Sequence, residues 1–137
     1  MKRVKEHNIF KNIREVREFE FGVFYFITGG IIISEIHENI FFKWKDAKKI
    51  IDACQEIFSA DIPRVYIANR INSYYVAPSN WIRFLKNKHK MDYYAAVGQT
   101  TGSIASILLE RFIFKKSIVQ FENLDDAVVW ALEKVKL

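Results

Sequence analysis

Two apolar runs separated by Thr28-Gly29-Gly30 constrain the chain more than any other feature. Residues 23–27 and 31–36 are built from β-branched and aromatic side chains, the composition of strands. Two adjacent glycines supply the positive φ that a tight reversal needs, so the segment reads as an antiparallel hairpin. Just before it, Val16-Arg17-Glu18-Phe19-Glu20-Phe21 mixes apolar and charged residues with the short period of a half-buried strand. His37-Glu38-Asn39 ends the third run, and residues 40–42 either extend it or form a short fourth strand.

After residue 43 the period changes. Trp44, Ala47, Ile50, Ile51, Cys54, Ile57 and Phe58 recur at helical spacing, with Lys45, Lys48 and Lys49 on the outer face. Asp61-Ile62-Pro63 breaks that helix, and residues 65–68 follow as a short buried strand. Pro78 suits a first helical turn, and Trp81, Ile82, Phe84 and Leu85 mark the helix after it. Residues 93–97 are the next strand, and Ile104, Ile107, Leu108 and Phe112 give another helix. Residues 118–121 form the last strand. Asn123 caps the final helix, with Asp125 and Asp126 in its positive first turn and Lys134 and Lys136 at its negative end. Leu124, Ala127, Val128, Ala131, Leu132 and Val135 make its apolar stripe. The order predicts a single-domain α/β fold: a hairpin-rich N-terminal part, then alternating strands and helices on a mixed sheet. Residues 1–14 read as a basic, frayed lead and 15–137 as the domain.

A chain of 137 residues, half of it apolar and with twelve Phe, six Tyr and three Trp, has ample material for one core and cannot be disordered. Cys54 is the only cysteine, which excludes an intrachain disulfide and a cysteine-built zinc cage. Its apolar flanks make it a small buried hydrophobe. The longest apolar run is too short to span a bilayer, and no signal-peptide core follows the charged start, so a cytoplasmic location is expected.

The net charge of +5 is concentrated in two places. Between residues 1 and 17 there are six Lys/Arg against two Glu; Arg83, Lys86, Lys88 and Lys90 form a second group. Cations at a helix C-terminus account for the latter. With no nucleic-acid motif beside either group, nucleic-acid binding is not expected.

Two loops carry the polar chemistry. Asn69, Arg70, Asn72, Ser73, Tyr74, Tyr75, Ser79 and Asn80 follow the strand at 65–68 and run into the helix that holds Trp81. A loop at the carboxyl end of a strand in an open α/β sheet is where ligands and partners dock, and Arg70 could grip an anion bidentately. Against this stands ordinary turn chemistry, in which Asn and Ser satisfy the loop backbone. The second loop, Gly98-Gln99-Thr100-Thr101-Gly102-Ser103, offers Thr100, Thr101 and Ser103 to an anion, yet it lacks the lysine of a P-loop and the glycine spacing of a dinucleotide fingerprint. Helix capping is the simpler account. His7, His37 and His89 stand at no metal-type spacing, and no nucleophile elbow flanks any serine. Neither a catalytic residue, a metal nor a cofactor is therefore assigned.

The element order, together with Ile31-Ile32-Ile33-Ser34-Glu35-Ile36-His37-Glu38-Asn39 and Asn69-Arg70-Ile71-Asn72-Ser73-Tyr74, resembles the STAS superfamily, the anti-anti-sigma-factor-like (SpoIIAA-like) domains, in short stand-alone bacterial form. The resemblance covers nearly the whole sequence after the lead and implies a regulatory protein-interaction module rather than an enzyme. In regulatory members a serine in an Asp-Ser pair opens the second helix and is phosphorylated by a partner kinase. Here Ala77 stands where the aspartate is expected and Pro78 where the serine would be. Ser79 is an offset candidate and Ser73 lies upstream, so the departure argues against the phosphoswitch. The alternative expectation is a small-ligand or lipid-binding module with an aromatic-lined pocket; an apolar groove bordered by Asn72 and Tyr74 would favour it. A protein partner is expected under the first reading, and pairing with a second copy as a homodimer is compatible with both.

Overall fold

The computed structural model describes residues 2–58, 65–76, 93–98 and 118–135. Among them, β1 (Ile13–Phe19), β2 (Gly22–Ile27) and β3 (Ile31–Ile36) come first, followed by β4 (Phe41–Phe42) and α1 (Trp44–Ile57). Then come β5 (Val65–Asn69), β6 (Tyr75–Val76), β7 (Tyr93–Val97), β8 (Ile118–Phe121) and α2 (Leu124–Lys134). Six strands form one mixed sheet in the order β1-β2-β3-β5-β7-β8, antiparallel through β3 and parallel beyond it. The expected mixed α/β domain is what the protein forms. The expected helices at Pro78 and at 104–112, the Thr100–Ser103 loop, the break at 61–63 and the basic group at 83–90 lie outside the described residues.

The hairpin forms as its glycines dictate. Gly29 and Gly30 take φ of 101° and 100°, and Ile27 pairs with Ile31 across the turn. β3 is buried along its whole length, the mark of a central strand covered on both faces. Alternation then divides its side chains. Ile31 and Ile33 join Tyr25, Ile27, Val65, Ile67, Ala95 and Val97 beneath α2, whereas Ile32 and Ile36 join Phe24 and Phe26 beneath α1. Burial of these apolar surfaces, at roughly 25 cal/mol per Å², is the main force holding each helix to its face of the sheet.

Local signals set the helix ends. In α1 the Asp46 carboxylate accepts the Lys43 backbone N–H at 3.1 Å, satisfying one of the free donors at a helix start. Cys54 is buried, as its flanks implied. In α2 the Asn123 side-chain oxygen accepts the Asp126 N–H at 2.9 Å, the expected cap. Leu124, Ala127, Val128 and Ala131 are buried as expected, but Leu132 is 45% exposed. It lies one residue past Ala131 in the helical rotation, at the rim rather than on the stripe.

Two further expectations are corrected. β1 starts at Ile13, and a bulge between Ile13 and Glu15 flips its parity. As a result Arg17 and Phe19 face α1, where Arg17 bonds Glu15 and Glu56 (2.9 Å to the latter), while Val16, opposite Tyr25 on the other face, is exposed at the sheet edge. Nor is the N-terminal lead frayed. Residues 4–6 and 8–12 form two 3-10 turns, and Val4 is completely buried in the cluster under α2.

Candidate functional site at the carboxyl ends of β3 and β5

Both central strands β3 and β5 end at the same edge of the sheet, because they run parallel with Ile31 opposite Val65 and Ser34 opposite Ala68. Two groups of side chains gather there, divided by the pleat.

The first group is buried under α2. Glu35 is only 6% exposed. Its carboxylate accepts hydrogen bonds from the Val4 backbone N–H at 2.9 Å, from Asn69 Nδ2 at 2.9 Å and from the Tyr25 phenol. Asn69 Nδ2 also donates to the Lys2 carbonyl at 3.1 Å. Burial, followed by the negative charge of Glu35 and the hydrogen bond to it, pushes the Tyr25 pKa up to about 12. A carboxylate in a low-dielectric site is sustained only by such donors, and each holds it in one place.

The second group laces two loops together. Asn72 Nδ2 donates to the Ile36 carbonyl at 3.0 Å, and the Ser73 N–H donates to Glu38 Oε2 at 3.1 Å. The Asn39 N–H reaches the Ser73 carbonyl at 2.8 Å, and Asn39 takes the left-handed φ of 62° that Asn tolerates. The Tyr75 N–H reaches the Ile40 carbonyl at 2.9 Å, and β4 and β6 pair in parallel, Phe41 opposite Tyr75 and Phe42 opposite Val76. Successive residues of a strand point to opposite sides. Tyr74 accordingly turns inward beneath the Arg70 guanidinium, 4.6 Å from its ring centre, and Phe42 packs on Phe21 at 5.5 Å. Phe41 and Tyr75 turn outward, 52% and 62% exposed.

The sequence-derived candidates thus separate. Asn69, Arg70 and Tyr74 are buried; Asn72 is partly buried; Ser73 and Tyr75 are exposed. Ser79, Trp81, Thr100, Thr101 and Ser103 lie outside the described residues. Glu35, Tyr25, Val4 and Phe41 were missed. A lone charge inside the apolar run 31–36 was a usable signal for Glu35, and the Phe41-Phe42 doublet for Phe41, since one ring of a strand doublet must face out.

Among the described residues no cluster of His, Cys, Asp and Glu is placed to hold a metal ion, and no helix is long and apolar enough to cross a membrane. No protein family, curated protein or solved structure matches the sequence.

Proposed function

We propose that the protein is a non-catalytic, STAS-like interaction module that docks a partner protein through the edge formed by residues 37–42 and 71–76. The observation that carries this is the Phe41–Tyr75 pair. Two aromatic rings stand side by side in the open, on loops fixed by backbone and side-chain hydrogen bonds. Exposed aromatics on a rigid support serve as anchors for a protein partner, because they give much contact area for little lost side-chain freedom. His37, Glu38, Asn39 and Ser73 are exposed beside them and supply a polar rim.

The ligand-pocket alternative asked for a groove bordered by Asn72 and Tyr74. Instead, Tyr74 is packed into the core under α1 and Asn72 is engaged with the Ile36 carbonyl, which favours the docking reading. A phosphate on Ser73 would stand close to the Glu38 carboxylate that its own backbone N–H contacts. By like-charge repulsion it would loosen the platform rather than create a new one.

The test places a photo-crosslinking residue at position 41 or 75, and at Val129 on the exposed side of α2 as a control, in cells of the source organism. A discrete adduct at 41 and 75, absent at 129 and lost from the position-41 probe on Tyr75→Ser, is expected. Equal adducts at all three positions, or none at 41 and 75, would overturn the proposal.

A further inference from the structure

Beneath α2, Glu35, Asn69 and Tyr25 make contacts that resemble those of a receptor more than those of a core. Replacing a buried charge and its partners by apolar groups of similar shape is often neutral or stabilising, so polar side groups here are poorly explained by stability alone. What they contact is informative. Glu35 accepts a backbone N–H, from Val4, and Asn69 donates to a backbone carbonyl, from Lys2. Between those two points the Val4 isopropyl group is swallowed whole by the apolar cluster. Outside, Lys2 Nζ lies 3.2 Å and His7 Nε2 2.9 Å from Asp125 in the first turn of α2. Main-chain hydrogen bonds and a pocket for a side chain are the means by which an extended peptide is recognised, and the Lys2 ammonium adds one cation at its edge.

The segment that supplies them is joined to the sheet through side chains rather than through a strand ladder. The N–H bonds of Glu6 and His7 go to their own turn, at Arg3 and Val4. The segment is held instead by Val4 and by contacts to side chains, and local openings draw on such attachments. Asn69 Oδ1, a buried acceptor, has no hydrogen-bond partner among the described residues. Because it shares a carbon with the Nδ2 that meets Lys2 and Glu35, it faces the same socket as a spare acceptor.

We propose that Glu35, Asn69 and Tyr25 form a peptide-binding socket, that residues 2–7 occupy it in cis, and that a basic peptide with a β-branched residue at the Val4 position exchanges for them. The socket is separate from the Phe41–Tyr75 pair and stands whether or not that pair docks a protein. Cis occupancy keeps it closed to weak ligands, since a tethered segment competes at an effective concentration on the order of millimolar. Release of residues 2–7 opens it.

The test uses the full-length protein. Val4→Asp places a carboxylate in the apolar cluster, next to the Glu35 carboxylate that its own N–H contacts, and expels the segment; circular dichroism checks that the fold persists in it and in the Val4→Asp, Asn69→Leu double variant. The labelled synthetic peptide KRVKEH is then titrated, with fluorescence anisotropy as readout. Micromolar binding to the Val4→Asp variant, at least tenfold weaker binding to the wild type, and loss of binding when Asn69→Leu is added are expected. A folded Val4→Asp variant that ignores the peptide, or binding indifferent to Asn69→Leu, would overturn the proposal. Should Val4→Asp fail to fold, amide exchange of the wild type decides. Exchange of the Val4 N–H at least 100-fold faster than that of Ile33 supports a releasable segment, and equal protection of the two sinks it.

Discussion

The Glu35 carboxylate of β3 meets the Asn69 amide of β5 at 2.9 Å, joining the ends of two parallel strands through residues 34 positions apart. The contact lies inside the structure, where an unpaired charge is expensive, and Asn69 serves Lys2 through the same nitrogen. Its loss should therefore be felt on both sides of the bond.

Asn69→Leu is expected to cost about 2–3 kcal/mol in urea unfolding, because it leaves Glu35 short of a donor and the Lys2 carbonyl without its partner. Glu35→Leu added to Asn69→Leu removes the stranded charge but leaves the Val4 N–H and the Tyr25 hydroxyl without their acceptor, so recovery of part of the loss is expected only when Tyr25→Phe is added as well. A triple variant less stable than Asn69→Leu alone would contradict the assignment.

Gly22 is held at the start of β2 by close approach rather than by its backbone angle. A Cβ there would stand 2.8 Å from both the Glu35 carbonyl oxygen and the Ile36 Cα, backbone atoms that cannot swing aside. Gly22→Ala should lower stability by about 1–3 kcal/mol through overpacking. At Gly29 a Cβ has ordinary space, 3.6 Å from Val135, and the obstacle is the φ of +101°; Gly29→Ala should cost on the order of 1–2 kcal/mol from backbone strain. Thermal unfolding of the two variants checks both figures.

Tyr25 should give the protein an alkaline instability of its own. Its folded pKa of about 12 exceeds the ordinary 10.0, so between those values the native state keeps a proton that the unfolded state has released. Stability is then lost as pH rises from about 10 through about 12. Tyr25→Phe should flatten the fall, measured by urea midpoints across that range. An unchanged slope would show that the phenol does not titrate late.

His7 should act at the acid end. Burial lowers its pKa below 6.5 and outweighs the attraction of Asp125, with Lys2 adding to the lowering. At neutral pH the contact to Asp125 is thus a hydrogen bond from a neutral ring. As pH falls below 6.5 the unfolded state takes up the proton first, so stability declines through the folded pKa. His7→Gln should weaken that decline, read from thermal midpoints between pH 7 and pH 5. If the two proteins respond alike, the ring is not the source.

Much of the fold was legible because its determinants are local. The double glycine at 29–30 dictates a reversal whatever surrounds it, and Asn123 caps α2 with an atom three residues from its partner. Continuous apolar runs announced β3, β5 and the buried half of β7. Leu132 and Val16 went astray because periodicity gives a face but not how far the covering element reaches, and Val16 stands an odd number of residues from Phe19, so alternation puts the two on opposite faces.

The candidate sites were less legible. Asn69 to Tyr75 reads as one polar loop, yet the pleat sends Asn69 under α2, turns Arg70 and Tyr74 inward and leaves Tyr75 outside. The partners that decide each role, Glu35, Glu38, Ile36 and Ile40, lie more than thirty positions earlier.

By itself the sequence determined the hairpin, the α/β order, the cap of α2 and the buried place of Cys54, because propensity, turn chemistry and period act over a few residues. Only the tertiary structure decided that Val4 enters the core, that Glu35 is a buried acceptor and that Phe41 stands beside Tyr75. Those outcomes depend on which surfaces meet when strands distant in sequence align, and that alignment is a property of the whole packed sheet.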